Sequence, residues 1–294
     1  MMEYILENEQ LKVTVSDAGA EIRSIVGKKT RTEYLWQGDP TYWAGRAPVL
    51  FPICGRLTEG KYTWKGQTYE MNLHGFARRS VFTAEKVGDH TVTFLLTANE
   101  ETKKMYPFDF EFRMTYTLTD STVECRYDVE NEKEDDLPFA IGGHPGFNVP
   151  MEAGKNFEDY RLEFACAKEA RELVFSDTCF DTGKTRAFPL EEGRILPLRH
   201  SLFDIDAVFL TDMCHKVTLG TPGGTRSLTL SFKGFPHVGF WHKPRTKAPY
   251  VCIEPWCSVP SPDGVIDDFA NKKELTHLKK GESYTNAFEI TICE

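Results

Sequence analysis

Apolar and polar residues alternate at period two along much of this chain. The longest run is Phe108-Asp109-Phe110-Glu111-Phe112-Arg113-Met114-Thr115-Tyr116-Thr117-Leu118, with an apolar side chain at every second position. Thr119-Asp120-Ser121 then turns the chain, and Val123, Cys125, Tyr127 and Val129 alternate again. That pattern predicts a hairpin with one face on a core. Leu11, Val13 and Val15 repeat it, with Lys12 and Thr14 between them. Further strands are predicted at 62–64, 81–87, 91–96, 162–164, 217–219, 228–232, 238–241 and 288–292. Tyr250-Val251-Cys252-Ile253-Glu254-Pro255-Trp256 reads as a short apolar strand with one carboxylate at its end. Helical periodicity is nearly absent: Asn99 to Met105 predicts two turns before Pro107, and Pro262 to Ala270 one short turn. Many strands with turn signals roughly every eight to twelve residues predict an antiparallel sandwich rather than a parallel α/β fold. No linker, repeat or composition break divides the chain, so residues 1–294 read as one large domain, with the acidic patch Glu130–Asp136 as a solvated loop.

Composition changes this picture little. A hydrophobic fraction of 40% and a charged fraction of 27% are those of a soluble globular protein. No apolar run reaches the roughly 18 residues of a membrane span, and the N-terminus has neither the basic nor the apolar region of a signal peptide. A net charge of −9 without any basic cluster argues against nucleic acid or an anionic membrane as a partner. The eight cysteines form no CxxC pair, and Cys252 and Cys257 have no second pair to complete a zinc site. The expectation is a cytoplasmic chain with scattered, mostly buried thiols.

Candidate chemistry starts at Glu254. An acidic side chain among Val251, Ile253 and Trp256 is costly to desolvate unless it is paired or used, and partial burial raises its pKa toward that of a general base. A strand-end glutamate facing solvent is the plainer alternative. Two histidines stand on Gly-rich turns, His74 in Asn72-Leu73-His74-Gly75-Phe76-Ala77-Arg78 and His144 in Gly142-Gly143-His144-Pro145-Gly146-Phe147-Asn148. With Glu254 they form an acid–base set. Singly, each also reads as a structural histidine bonding loop carbonyls. Together the three also read as metal ligands, although no closely spaced ligand pair supports that. Cys252 or Cys54 as a nucleophile has nothing nearby to lower its pKa. Arg56 and Arg78 follow turns where a buried, bidentate role competes with plain surface charge. Trp36, Trp43, Phe147, Trp241 and Trp256 are core packing or the walls of a sugar cleft, where an indole covers the C–H face of a pyranose.

At these residues the sequence resembles the aldose 1-epimerases (galactose mutarotases), particularly their LacX-like branch. The segments that carry the resemblance are Leu35-Trp36-Gln37-Gly38-Asp39 with Trp43, Arg46 through Leu57, Leu73 through Arg78, Gly143 through Asn148, Asp204 through Phe209, and Cys252 through Trp256. The resemblance implies an all-β, antiparallel β-supersandwich with the site in an open cleft on one sheet, and interconversion of α and β anomers of a hexopyranose without a cofactor or metal. It implies Glu254 as base on the C1 hydroxyl, His144 as acid on the ring oxygen, and His74 as its helper. Arg56 and an aspartate of the 204–206 segment would hold ring hydroxyls, Asp206 being preferred to Asp204, with Trp241 and Trp256 beside the sugar. Phe76 and Gly146 depart from the pattern of many mutarotases, and Phe76-Ala77-Arg78 resembles instead the hexose-6-phosphate 1-epimerases, in which the arginine serves a phosphate. The expected partner is therefore a small sugar, an aldohexose in preference to a sugar phosphate.

The residues support this chemistry without the resemblance. Opening a hemiacetal needs one proton taken from an alcohol and one delivered to an ether oxygen, and a carboxylate with an imidazolium is a matched pair for that exchange. A glycoside hydrolase would want two carboxylates flanking the scissile bond, and Glu254 alone has a suitable setting. A sugar-binding protein without turnover would have no need of a base opposed to an acid.

Overall fold

The computed structural model describes residues 1–294, most of them in strands or the turns between them. The longest alternating run forms its hairpin, with Glu111–Thr119 antiparallel to Thr122–Asn131 and Tyr116 opposite Cys125. Phe112, Met114, Tyr116 and Leu118 on one strand and Val123, Cys125, Tyr127 and Val129 on the other are all buried, as one core-facing side requires. The strand starts at Glu111, three residues later than the alternation suggests. Phe108 and Phe110 reach the same core from irregular chain.

This hairpin belongs to a nine-stranded sheet that also takes Glu282–Cys293, Ser227–Ser231 and Thr91–Thr97. A second sheet runs, in order, Asp181–Phe188, Ala170–Phe175, Val208–Thr211, His237–Trp241, Tyr250–Trp256, Gly142–Gly143 and Val49–Leu50, with Gly146–Asn148 also paired to Tyr250–Trp256. Both large sheets contribute to one cluster of 66 buried apolar residues, which joins them into the expected antiparallel β-supersandwich. No helix is long and apolar enough to cross a membrane. The helix expected before Pro107 is present as Glu100–Met105. The Asn99 side chain caps it by accepting from the N–H groups of Glu101 and Thr102.

All seven residues of Tyr250–Trp256 are buried, because both faces of this strand are covered. Val251 and Ile253 enter the main core, while Tyr250 and Cys252 pack with Trp36 on the opposite face. By the same alternation Glu254 lies on the Tyr250, Cys252 and Trp256 face. The expectation that this carboxylate ends the strand is corrected, since Trp256 beyond it still pairs with His237 and Gly142. Pro255, which donates nothing to the ladder, is simply carried inside it opposite Val238.

Two other expectations are corrected. Residues 262–270 form no helical turn. Asp267–Asp268 instead pairs in parallel with Lys61–Trp64, and Asp267 takes the Ser261 hydroxyl and the buried Lys272 ammonium, which keeps the segment extended. Cys166 and Cys214 are joined in a disulfide with Cα atoms 6.0 Å apart, so the cysteines are not all free thiols. Nothing in a separation of 48 residues announces this pair; the fold brings together the chain leaving Arg161–Phe164 and the chain leaving Val208–Thr211. Of the rest, Cys54, Cys125 and Cys252 are buried, Cys179 and Cys257 half-buried, and Cys293 exposed.

Glycine at position 239 is a steric requirement of the strand next to Glu254. Gly239 pairs directly with Glu254, and a Cβ there would come 2.3 Å from the Phe209 ring. Gly239→Ala is expected to drive Phe209 out of place and cost about 1–3 kcal/mol, read as a lower urea midpoint at unchanged m-value. An alanine variant as stable as the parent would show that this contact carries no constraint.

Candidate active site

His144 sits between two short strands that both pair with Tyr250–Trp256. Gly142 lies opposite Trp256 and Gly146 opposite Cys252, so the same register continued through the gap sets His144 across from Glu254. Side chains so placed share a face with their Cβ atoms about 4.5–5.5 Å apart. His144 Nε2 lies 3.3 Å from Glu254 Oε1. Three backbone bonds fix the bend: His144 N–H to Pro48 carbonyl (3.1 Å), Gly146 N–H to Arg46 carbonyl (2.8 Å) and Ile253 N–H to Pro145 carbonyl (3.1 Å). Glycine is needed on both sides of it. A Cβ at Gly143 would meet the Phe288 ring at 2.7 Å, and one at Gly146 the Trp43 ring at 3.1 Å.

The pair is dry. Glu254 is 2% exposed. Burial pushes its carboxyl well above the ordinary carboxylate range, and the nearby Asp206 charge adds to this while Trp256 opposes it. Burial lowers the His144 pKa to about 3, and the Arg78 charge acts in the same direction. Glu254 Oε1 and His144 Nδ1 are both buried without a hydrogen-bond partner. The Trp43 indole stacks on the imidazole with centroids 5.0 Å apart and planes at 30°, and Trp241 meets it edge-on at 5.6 Å. Burial therefore opposes charge on both groups, favouring the protonated carboxyl and the neutral imidazole.

His74 is buried with φ of +62°, a left-handed backbone that few non-glycine residues adopt. Its N–H donates to the Gly55 carbonyl at 2.8 Å, and its Nδ1 accepts from the Gly55 N–H at 3.1 Å. A backbone N–H can only donate, so the ring proton is on Nε2 and His74 is a fixed donor. Burial, helped by His144, Arg78 and Arg56, keeps it uncharged. Its ring meets His144 at 5.6 Å and Trp256 at 5.3 Å, both edge-on.

These side chains line a cleft of about 260 Å³, together with Arg56, Arg78, Asp206 and Trp241. That is close to the lower end of small-molecule sites, about 300 Å³, and suits one monosaccharide ring. The aspartate choice has a geometric answer. Asp206 lines the cleft and accepts from Trp241 Nε1 at 3.0 Å, whereas Asp204 is exposed and outside the lining. Arg56 donates to the Thr178 carbonyl at 3.1 Å, and Arg78 Nε is buried without a partner. Neither guanidinium is in an ion pair.

Trp43, which from the sequence reads as core packing or a cleft wall, lines the site. Phe209 and Cys179 line it too, although the sequence singles out neither as a site residue; Phe209 has a signal in the Asp204–Phe209 segment, and Cys179 has none. The metal alternative read from the sequence joins His74, His144 and Glu254, whereas the donor atoms that lie within 4.8 Å of one another are those of His144, Cys252 and Glu254. They are distant in sequence and adjacent across the sheet. Burial keeps the Cys252 thiol protonated and raises the Glu254 carboxyl, so a divalent ion would have to displace two protons to use all three.

The profile of the aldose 1-epimerase family matches residues 2–291. The chain belongs to the aldose 1-epimerase family. It is similar to protein LacX of Lactococcus lactis subsp. lactis, 34% identical over 298 residues that cover 98% of each chain. A galactose mutarotase-related enzyme from Lactobacillus acidophilus superposes with a TM-score of 0.94 at 37% identity, covering 100% of this chain and 98% of that one. A galactose mutarotase-like protein from Lactobacillus casei gives 0.93 at 34% identity, covering 99% and 100%.

The directions of the two shifts set a pH profile. His144 gains a proton only as pH falls toward about 3, and the Glu254 proton leaves only above the ordinary carboxylate range. The enzyme-dependent kcat/KM of sugar anomer exchange is therefore expected not to fall as the pH is lowered from about 7 to about 4, after subtraction of the buffer rate. A loss on acidification centred near pH 6.5 would mean that His144 titrates as an ordinary imidazole.

Proposed function

We propose that the chain interconverts the α and β anomers of an aldohexopyranose, with Glu254 as base and His144 as acid. The observation that carries this is the 3.3 Å approach of a buried carboxyl oxygen to a buried imidazole nitrogen on the lining of one cleft. Glu254 takes the proton of the C1 hydroxyl while His144 gives one to the ring oxygen. The C1–O5 bond breaks, C1 becomes the aldehyde, and O5 a hydroxyl. The pair is left as neutral carboxyl and neutral imidazole, the same proton count that burial favours in the empty cleft. Rotation about C1–C2 presents the other face of the carbonyl. Reclosure returns one proton to the C1 oxygen and one to His144. No proton need be exchanged with water in the cycle, and no nucleophile is required.

His74 donates its Nε2 proton to the region of O5 and C1. Arg56 and Asp206 hold hydroxyls, and Trp43 and Trp241 cover apolar C–H faces. The spontaneous reaction already proceeds in water, so two oriented groups supply enough of the ~8–23 kcal/mol by which enzymes lower barriers.

Glu254→Gln keeps the shape and removes the base. Anomer exchange, followed by polarimetry or exchange NMR, is expected to drop ~10²–10⁴-fold with sugar affinity little changed. His144→Ala should cost more turnover than His74→Ala. Near-normal exchange in Glu254→Gln would leave a sugar-binding protein as the better reading.

A second reading has its own support. The unpaired guanidiniums of Arg56 and Arg78 suit an anionic sugar such as a hexose 6-phosphate. Asp206 stands on the same lining and offsets one of the two charges, and a phosphate would bring nearly two, so the free aldohexose is preferred. The comparison is kcat/KM for glucose or galactose against their 6-phosphates, in the parent and in Arg78→Ala. Free sugars are expected to be at least as good. A preference for the phosphate of ~100-fold that vanishes in Arg78→Ala would reverse the choice.

A further inference from the structure

We infer that Cys179, and the 176–180 turn that carries it, position the two side chains that hold the sugar's hydroxyls, Asp206 and Arg56. This rests on the anomer-exchange reading of the cleft. Asp206 has no regular element of its own. It precedes Val208–Thr211 on irregular chain, and its neighbour Ile205 is 84% exposed. What orients it is a donor on each oxygen: Trp241 Nε1 on Oδ1 at 3.0 Å and Cys179 Sγ on Oδ2 at 2.7 Å. The thiol keeps its proton for this contact, since burial and the facing carboxylate push its pKa up to about 11. One residue earlier, the Thr178 carbonyl accepts from Arg56 Nη1 at 3.1 Å.

The turn is built to hold both contacts. Cys179 has φ of +63°, the left-handed conformation in which its side chain meets Asp206 while Thr178 presents its carbonyl to Arg56. Ser176 N–H bonds the Phe180 carbonyl and Cys179 N–H the Ser176 carbonyl, both at 2.8 Å. Beyond the turn, Asp181 N–H bonds the Ser261 carbonyl, and Ser261 N–H bonds the carbonyl of Arg56 itself, each at 2.9 Å. One short turn is thus tied to the main chain of one sugar-holding residue and to the side chains of both. Each oxygen of Asp206 retains a lone pair for a sugar hydroxyl, and Arg56 retains free N–H donors beside it. Cys179 is on this basis a positioning residue. It acts on how the sugar sits, not on the proton transfers.

The test separates binding from chemistry. In Cys179→Ala, KM for the preferred aldose is expected to rise about tenfold with kcat within about twofold, because a donor to a charged acceptor is lost away from the reacting atoms. Cys179→Ser keeps a donor and should recover most of the loss. In an Asp206→Ala background, Cys179→Ala should add nothing further, since it acts through that carboxylate. An unchanged KM in Cys179→Ala, or the same tenfold rise in the Asp206→Ala background, would overturn the inference. If the parent protein exchanges no anomer, the function proposed above fails instead. Calorimetric sugar affinity of the same four variants then reads the same contrast.

Discussion

A carboxyl without water is the constraint around which this molecule is arranged. An ionised glutamate at the position of Glu254 would carry a desolvation penalty of several kcal/mol, and each unit of pKa displacement is ~1.4 kcal/mol between its two forms. Burial resists charge on the His144 imidazole 3.3 Å away as well, so both groups are biased toward their neutral forms. A ring opening that leaves carboxyl and imidazole neutral runs in the direction this bias favours. The same burial that would be a defect in an unpaired carboxylate becomes the means of poising it.

Keeping that pair dry dictates the local architecture. The Tyr250–Trp256 strand must be central and covered on both faces, and it is: core on one side, indoles on the other. The residues beside the pair must be small, so Gly239 faces Glu254 on one flank and Gly142, Gly143 and Gly146 surround His144 on the other. The space released by the missing side chains is filled by Phe209 at Gly239, Trp256 at Gly142, Phe288 at Gly143 and Trp43 at Gly146. The glycines and aromatics near the site are therefore two halves of one packing solution.

How much of this could be read in the chain follows from how each feature is encoded. Period-two alternation is local, so the Glu111–Thr119 and Thr122–Asn131 hairpin was legible to within a few residues. Strands without alternation were not. Asp181–Phe188 is a mostly exposed edge strand, and Val49–Leu50 is two residues long; neither offers a pattern to detect. Glu254 stood out as acidic in an apolar stretch, but its placement inside the ladder depends on pairing with strands far away in sequence. Asp204 and Asp206 differ only in which side of an irregular segment meets the cleft, and spacing cannot decide that. Cys179 and the Cys166–Cys214 bond were invisible for the same reason: each is defined by a partner tens of residues away.

The contact between Glu254 and His144 also weighs among chemistries that a cleft with two carboxyls might serve. Asp206 supplies a second carboxylate, so the carboxyl count no longer argues against glycoside hydrolysis, as it did from sequence. Geometry does. A hydrolase needs its second carboxyl free to act as nucleophile or to activate water. The indole and thiol on Asp206 orient it as an acceptor and leave a lone pair on each oxygen for a sugar hydroxyl, the role of a holding group. The group 3.3 Å from Glu254 is an imidazole and not a second carboxyl. A charge-neutral exchange between two groups matches a reaction in which nothing leaves and nothing is added.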